Sequence, residues 1–306
     1  MGIITLYLIY AYKLPMKKIL FLTVLFTLTF TVFSQTAGDF YKRATEKFKA
    51  GDYAGAAVEY TRAIDLSQNS AVLYSNRGVC YFRIEQFDNA LSDYDQAIAL
   101  DPTMANAHYN KGNTLKTLAR NTDALIAYDH AIEVDPTDKK YFQNRGMVKA
   151  LLGDDKSAIE DYNKVIELEP TDSKAFYNRG TSLVNLREYK NAKLDFDKAL
   201  ELDPTYYKAL INRGICFVQL DKNKDAKSDF TLAVTLSPMD GEGYYYRALA
   251  TFNDVNLIKV ENKKKHNIAL IQENVYAQKA ACSDLEKAKQ FEYSRAFIAM
   301  KEYCTE

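Results

Sequence analysis

The side chains that most often carry catalysis or hold a metal are few in this sequence, and they are scattered along it. The chain has three histidines and four cysteines among 306 residues. None of the histidines, which are His108, His130 and His266, stands near cysteines or carboxylates at metal-site spacing. There is no glycine-rich phosphate loop, no nucleophile elbow and no unexplained set of Ser, His and Asp. The sequence therefore predicts no catalytic residue, no metal and no cofactor, and a protein that is not an enzyme.

The polar residue with the most regular spacing is asparagine. One asparagine recurs every 34 residues, at Asn76, Asn110, Asn144, Asn178 and Asn212. Asparagine is unfavourable inside helices, so a column of asparagines at one helical position calls for compensation. An amide has two N–H donors and one acceptor, and it can hydrogen-bond the backbone of an extended peptide whatever its side chains. Hydrogen bonds between repeats would compensate equally well, so both interpretations stay open.

Lysines and tyrosines accompany the asparagines. If each 34-residue repeat is counted from Ala37 as position 1, the asparagines stand at position 6. Position 2 holds Lys140, Lys174 and Lys208, and position 5 holds Tyr41, Tyr109 and Tyr177. A positive, partly aromatic surface suits an acidic or C-terminal peptide. The predicted ligand-binding residues are Asn76, Asn110, Asn144, Asn178, Asn212, Lys140, Lys174, Lys208, Tyr109 and Tyr177.

The same period organises the apolar positions that must hold these side chains in place. Position 8 is glycine in five repeats, position 20 is alanine in six, position 24 is Tyr or Phe in six, and position 32 is proline in five. Small residues let two antiparallel helices approach closely, and a proline ends the second helix. The pattern thus predicts a stack of helix pairs.

These columns resemble the tetratricopeptide repeat, which has small residues at positions 8, 20 and 27, an aromatic at 24 and proline at 32. The resemblance covers residues 37–240 and implies an all-α, right-handed superhelical solenoid, with about seven repeats and a C-terminal capping helix. It also implies a protein-interaction scaffold whose first helices line a concave face. The six regular repeats are 37–70, 71–104, 105–138, 139–172, 173–206 and 207–240.

A second pair of columns carries charge. Position 7 is arginine and position 23 is Asp or Glu in five repeats, whereas repeat 3 has Lys111 and Ala127 at these places. Because both positions change together, we predict an Arg–carboxylate pair that joins the two helices of each repeat. An acidic-ligand site formed by these arginines is the weaker alternative, since each arginine has a carboxylate at hand.

The pattern continues beyond residue 240 with an interruption. Arg247 matches position 7 and Asp284 matches position 23, but 37 residues separate them where the other repeats have 16, which gives an insert of 21 residues. We expect residues 241–295 to form a seventh repeat whose lengthened helices project a hairpin over about 255–278. That hairpin is either an interaction element or a tolerated surface insertion. Residues 296–306 are expected to form the capping helix.

The cysteines fall into two kinds. Cys80 and Cys216 both occupy position 10, a helix-packing place, and four repeats separate them, so they are not expected to bond each other. Cys282 and Cys304 lie on the last helices of a chain that the N-terminus predicts to be exported. We predict a disulfide between Cys282 and Cys304 that holds the cap.

The N-terminus predicts export. Met16-Lys17-Lys18, an apolar run over 19–33 and the small Ser34 match the three parts of a signal peptide over 16–34. Cleavage would leave Gln35 first, and residues 1–15 are interpreted as an upstream mis-start segment. The predicted location is the periplasm or cell envelope, without membrane insertion after cleavage. An uncleaved N-terminal membrane anchor is the alternative.

The balance of basic and acidic residues restricts the classes of molecule that the protein is expected to bind. Lys plus Arg equals Asp plus Glu at 40 each, and residues 1–34 hold three lysines and no acid, so the remainder has 37 against 40. This balance lacks the basic footprint of a nucleic-acid-binding protein. The predicted function is a non-enzymatic adaptor that binds an extended segment of another protein on its concave face. The alternative is a structural subunit of an envelope complex, engaged through its convex face, insert or cap.

Overall fold

The structure is a computed structural model that describes residues 35–304 apart from 266 and 267, with side chains described outside 255–273. The predicted signal peptide and the segment before it lie outside the described residues. Within the described ranges the chain forms 15 α-helices and no strands, which confirms the all-α prediction. The helices are distributed over two compact bodies that divide between Pro102 and Thr103.

The N-terminal body contains the first two helix pairs. Its helices are α1 (Ala37–Lys49), α2 (Tyr53–Leu66), α3 (Ala71–Arg83) and α4 (Phe87–Leu100). Consecutive helices pack against one another. The core between them consists of small side chains and rings, among them Ala56, Tyr60, Ala63 and Leu73.

The C-terminal body continues the same arrangement. Its helices are α5 (Ala105–Thr117), α6 (Asn121–Val134), α7 (Lys139–Leu151), α8 (Asp155–Leu168), α9 (Ser173–Asn185), α10 (Tyr189–Leu202), α11 (Tyr207–Gln219), α12 (Asn223–Leu236), α13 (Gly241–Lys265), α14 (Ile268–Gln290) and α15 (Ser294–Tyr303). The pair α13 and α14 has 25 and 23 residues, against 13 and 14 in the regular pairs. The predicted insert thus falls on two long helices, and most of its side chains and its tip lie outside the described residues.

Local chemistry sets where the helices begin and end. Thr36 and Asp39 form a capping box at the start of α1, and aspartates such as Asp154 cap later helices. Each regular first helix is followed, two residues after its end, by a residue at position 15 in the left-handed region, where Gly51 and Gly153 have φ of 81° and 83°. Ala119 adopts the same conformation without being glycine, with φ of 56°.

The glycine column exists because an aromatic ring occupies the space beside it. A Cβ added to Gly214 would lie 2.4 Å from Phe230 Cε1, and one added to Gly112 would lie 2.7 Å from Tyr128 Cε1. Both rings are fully buried. The glycine at position 8 therefore lets the first helix rest directly on the ring at position 24 of the second.

The predicted Arg–carboxylate pairs are confirmed. In each repeat that has both residues, the arginine at position 7 donates hydrogen bonds to the acid at position 23, with N–O distances of 2.6–3.0 Å. The carboxylates are nearly buried, whereas the guanidinium groups keep contact with solvent. The pairs are Arg43–Glu59, Arg77–Asp93, Arg145–Asp161, Arg179–Asp195, Arg213–Asp229 and Arg247–Asp284.

These arginines also reach the preceding repeat, which the sequence pattern did not reveal. Arg145 Nη1 donates to Asp129 Oδ1 at 2.7 Å, and Arg213 Nη1 donates to Asp197 Oδ1 at 2.9 Å. Both acceptors stand at position 25 of the repeat before. Each of these guanidinium groups thus connects three helices, and its donors are engaged within the fold.

The end of the C-terminal body is closed by α15. Cys282 on α14 forms a disulfide with Cys304, the residue that follows α15, whereas Cys80 and Cys216 are free and buried. Ala296 and Ala299 pack inward. The opposite side of α15 exposes Phe297 and Ile298, at 48% and 71%.

Candidate functional site

The asparagines and lysines singled out in the sequence lie on the first helices of their repeats. In the C-terminal body these are α5, α7, α9 and α11, and consecutive members of this set contact one another. We call the surface formed by positions 2, 5 and 6 of these four helices the first-helix face. Asn76 lies on α3 of the N-terminal body and is treated separately.

Asn144 on α7 is held by hydrogen bonds within the protein. Its Nδ2 donates to Tyr109 Oη at 3.2 Å and to the Lys140 carbonyl oxygen at 3.0 Å, and its Oδ1 accepts from Lys116 Nζ at 2.7 Å. Tyr109 and Lys116 belong to the preceding repeat. The amide of Asn144 therefore has both an N–H and its oxygen engaged between repeats.

Asn212 on α11 repeats part of this arrangement. Its Nδ2 donates to Tyr177 Oη at 3.2 Å, again a tyrosine at position 5 of the preceding repeat. Tyr177 packs against Tyr206, with 4.8 Å between the ring centroids. Burial raises the pKa of Tyr177 above its ordinary value.

Asn110 and Asn178 differ from these two. Both side chains are half-exposed, and neither amide forms a hydrogen bond with any part of the chain that the structure describes. The same holds for Asn76 in the N-terminal body. These three amides keep two donors and one acceptor available for another molecule.

The alternation has a cause in the sequence, at position 5. Odd-numbered repeats have tyrosine there, at Tyr41, Tyr109, Tyr177 and Tyr245, whereas repeats 2, 4 and 6 have Ser75, Gln143 and Ile211. In the C-terminal body Tyr109 and Tyr177 each accept a hydrogen bond from the asparagine of the next repeat, so the asparagines of repeats 4 and 6 are held. Asn76 follows Tyr41 in the same way in the N-terminal body and does not form this bond. Tyrosine thus recurs at position 5 every 68 residues, and the 34-residue repeat pattern did not predict that alternate asparagines would differ.

The lysines at position 2 give the first-helix face its charge. Lys140, Lys174 and Lys208 are all exposed. Lys140 approaches Asp138 at 3.4 Å, and the other two form no ion pair with any described residue. The row ends at position 2 of repeat 7, where Glu242 is half-buried, and burial raises the pKa of its carboxyl group.

Two further chemical properties concern the described residues as a whole. No helix among them combines the length and apolarity needed to cross a membrane. No group of three His, Cys, Asp or Glu side chains within the described ranges is placed to hold a metal ion.

Family models agree with the repeat columns. A model described as tetratricopeptide repeat matches residues 71–104 and 173–206, and a second model with the same description matches 105–138 and 140–172. The matched segments lie in both compact bodies and include four of the five asparagines, since Asn212 stands outside them.

Several solved structures share the architecture. The C-terminal part of a TPR repeat-containing protein from Cytophaga hutchinsonii is 21% identical, with a TM-score of 0.64 over 84% of this chain and 98% of that chain. A tetratricopeptide repeat protein from Parabacteroides merdae is 17% identical, with a TM-score of 0.60 over 86% and 96%. YrrB, described as a TPR protein with an unusual peptide-binding site, is 24% identical, with a TM-score of 0.53 over 58% and 92%. At these identities the similarity establishes the fold.

Proposed function

Because the chain is a tetratricopeptide-repeat protein, and such repeats serve as protein-interaction scaffolds, we propose that it binds an extended segment of a partner protein along the first-helix face. The observation that carries this proposal is the pair of unengaged amides at Asn110 and Asn178. They stand at the same position two repeats apart, so one extended strand can receive the same backbone hydrogen bonds twice. No chemical reaction is part of this function.

The charge of the face favours an acidic segment. Lys174 projects from α9 without an ion pair in the described residues, and Lys140 has only a long contact. Lys208 on α11 forms no ion pair either, although it lies near enough to Glu242 to oppose the rise in the pKa of that carboxyl group. The arginines do not add to this charge, because their donors are engaged by carboxylates of the fold. Lysines at the edge of a binding surface mainly steer association and reject partners of the wrong charge.

A second candidate function rests on the end of the C-terminal body. Phe297 and Ile298 are exposed beside each other on α15, and neighbouring exposed apolar side chains can form part of an interaction surface. A structural subunit of an envelope complex could be held through this surface. Under that function, substitutions at Asn110 and Asn178 leave assembly unchanged, whereas Ile298→Asp disrupts it.

We also propose that the protein is exported and that residues 1–34 are removed. The support is the tripartite N-terminal pattern together with the Cys282–Cys304 disulfide, since disulfides persist in oxidising compartments. Cell fractionation with mass spectrometry of the N-terminal peptide is expected to find Gln35 as the first residue in the envelope fraction. Recovery of full-length chain with free Cys282 and Cys304 in the cytoplasm would overturn this.

The asparagine alternation gives a direct mutational prediction. The double variant Asn110→Ala, Asn178→Ala is expected to lower affinity for the bound partner about thirtyfold, from two lost hydrogen bonds of about 1 kcal/mol each. Its thermal stability should stay the same or rise slightly, because neither amide has an intramolecular partner and alanine is the better helix former. Pull-down from an envelope extract followed by titration with the identified partner provides the affinities.

Asn212→Ala serves as the matched control. This variant removes the hydrogen bond to Tyr177, so it should lose about 1 kcal/mol of folding stability while binding changes less than in the double variant. Full partner affinity in the double variant would show that the amides do not contact the ligand.

A further inference from the structure

Lys116 is out of place in its column. It stands at position 12 of repeat 3, near the end of α5, and the equivalent residue in every other repeat is apolar. Those residues are Phe48, Phe82, Ala150, Val184, Val218 and Phe252. A packing position that takes phenylalanine, valine or alanine does not need an ammonium group, so the lysine requires another explanation.

The ammonium group of Lys116 has fewer hydrogen-bond partners in the described chain than it has N–H donors. The side chain is half-buried, and Nζ donates one hydrogen bond, at 2.7 Å to Asn144 Oδ1. An ammonium group has three N–H donors, so two remain. No carboxylate pairs with Lys116 anywhere in the described chain. Burial lowers the pKa of this lysine below its ordinary value, as expected for a desolvated cation without a counter-charge.

Other partly buried cations of the same body have the carboxylate that Lys116 lacks. Lys149 lies 2.9 Å from Asp161 Oδ2, and Arg145 and Arg213 each contact two aspartates. Desolvating a cation without an anion is costly, and the fold avoids that cost at these positions. At Lys116 the described chain supplies no such carboxylate.

We propose that Lys116, at position 12 of α5, is the anchor of a carboxylate-binding subsite next to the first-helix face. Asn144 holds the ammonium group from α7, Tyr109 fixes the Asn144 amide in turn, and the two remaining N–H donors of Lys116 take a carboxylate of the bound segment. Lys140 lies one helical turn before Asn144 on α7 and supplies a second, exposed positive charge. This subsite deepens the proposed function and rests on it, since it names the group of the partner that α5 and α7 recognise.

The test uses the full chain labelled with ¹³C at lysine Cε and three small probes. N-acetylalanine presents a terminal carboxylate, N-acetylaspartate α-amide presents a side-chain carboxylate, and N-acetylalanine amide is neutral. A saturable shift of the Lys116 signal is expected with one or both carboxylates and not with the amide. The stronger carboxylate identifies the source, a chain terminus or an acidic side chain. Lys198, which pairs with Glu201 on α10, serves as the reference signal.

The variant Lys116→Met provides a second test of the subsite. Its melting temperature shows whether a loss of affinity comes from a loss of folding. The column is otherwise apolar, so this variant should melt at the same temperature or about 2 °C higher, while affinity for the carboxylate probe or an acidic partner peptide falls about tenfold. A lower melting temperature with unchanged affinity, or equal shifts from all three probes, overturns the subsite. If Lys116 responds but Asn110→Ala, Asn178→Ala binds the partner normally, the subsite stands and the extended-segment proposal fails.

Discussion

Replacing Arg179 by methionine is expected to lower the free energy of unfolding by about 3 kcal/mol, the largest effect of any single substitution considered. The guanidinium group donates to both oxygens of Asp195, at 2.8 and 2.6 Å, and to Asn163 of the preceding repeat. Asp195 has a side-chain exposure of 8% and no other partner. Removal of the arginine therefore leaves a nearly buried carboxylate without a counter-charge.

Urea titration followed by circular dichroism measures this loss, and a double-mutant cycle assigns its cause. Asp195→Ala in the Arg179→Met background should recover part of the stability, with a coupling free energy of about 1–3 kcal/mol. Repeat 3 already lacks the acid, because Ala127 stands at its position, and it has Lys111 in place of the arginine. Arg187→Met, at an exposed arginine of the same repeat, is the control and should change stability by less than about 0.5 kcal/mol. Additive single-variant effects would contradict the pairing.

Removing the disulfide is the second large effect. Cys282 and Cys304 are 22 residues apart in sequence, and in the chain-entropy description a closed loop of this size contributes about 3 kcal/mol. The double variant Cys282→Ala, Cys304→Ala should lose about that much stability. The loss should appear first as faster amide hydrogen exchange over α15, because few other large side chains hold this helix.

Treatment with a reductant distinguishes the stability contributed by the disulfide from a general loss of stability caused by the two substitutions. Dithiothreitol should destabilise the oxidised wild-type protein and leave the double variant unchanged, since Cys80 and Cys216 are free in both. Thiol labelling of the unfolded, unreduced wild-type protein is expected to find two cysteines. A count of four thiols in protein recovered from an oxidising compartment would contradict the bond.

Much of the fold could be predicted from the sequence, because the same helix-pair geometry recurs in every repeat and constrains the same positions each time. Position 8 is glycine because the aromatic ring at position 24 lies directly against it. A Cβ added to Gly214 would lie 2.4 Å from Phe230 Cε1. The joint replacement of Arg and acid by Lys111 and Ala127 identified a pairing that the structure contains. Contacts within one repeat can therefore be predicted by comparing equivalent positions across the repeats.

Contacts between repeats were harder to predict. The asparagine column looked uniform, yet Asn144 and Asn212 bond to tyrosines while Asn110 and Asn178 do not. The difference depends on position 5 of the preceding repeat, which a column read in isolation does not show. The second bonds of Arg145 and Arg213 escaped prediction for the same reason.

Lys116 illustrates the opposite case, in which the informative feature is a departure from the column. A single polar residue among apolar equivalents is ambiguous in sequence, because a lysine can bury its stem and leave its head in water. The structure adds that the Lys116 side chain is half-buried and that its Nζ donates to Asn144, without a carboxylate. Only the combination of column and environment indicates an external anion.

Site-specific photocrosslinking in cells can show whether a partner segment lies along the first-helix face. A photoreactive residue at Lys174 or Lys208, both exposed on that face, is compared with one at Ile126 or Leu194, exposed on second helices at 52% and 62%. We expect one crosslinked partner from Lys174 and Lys208, in an amount reduced by Asn110→Ala with Asn178→Ala. Crosslinks that arise from Ile126 and Leu194 alone would contradict it.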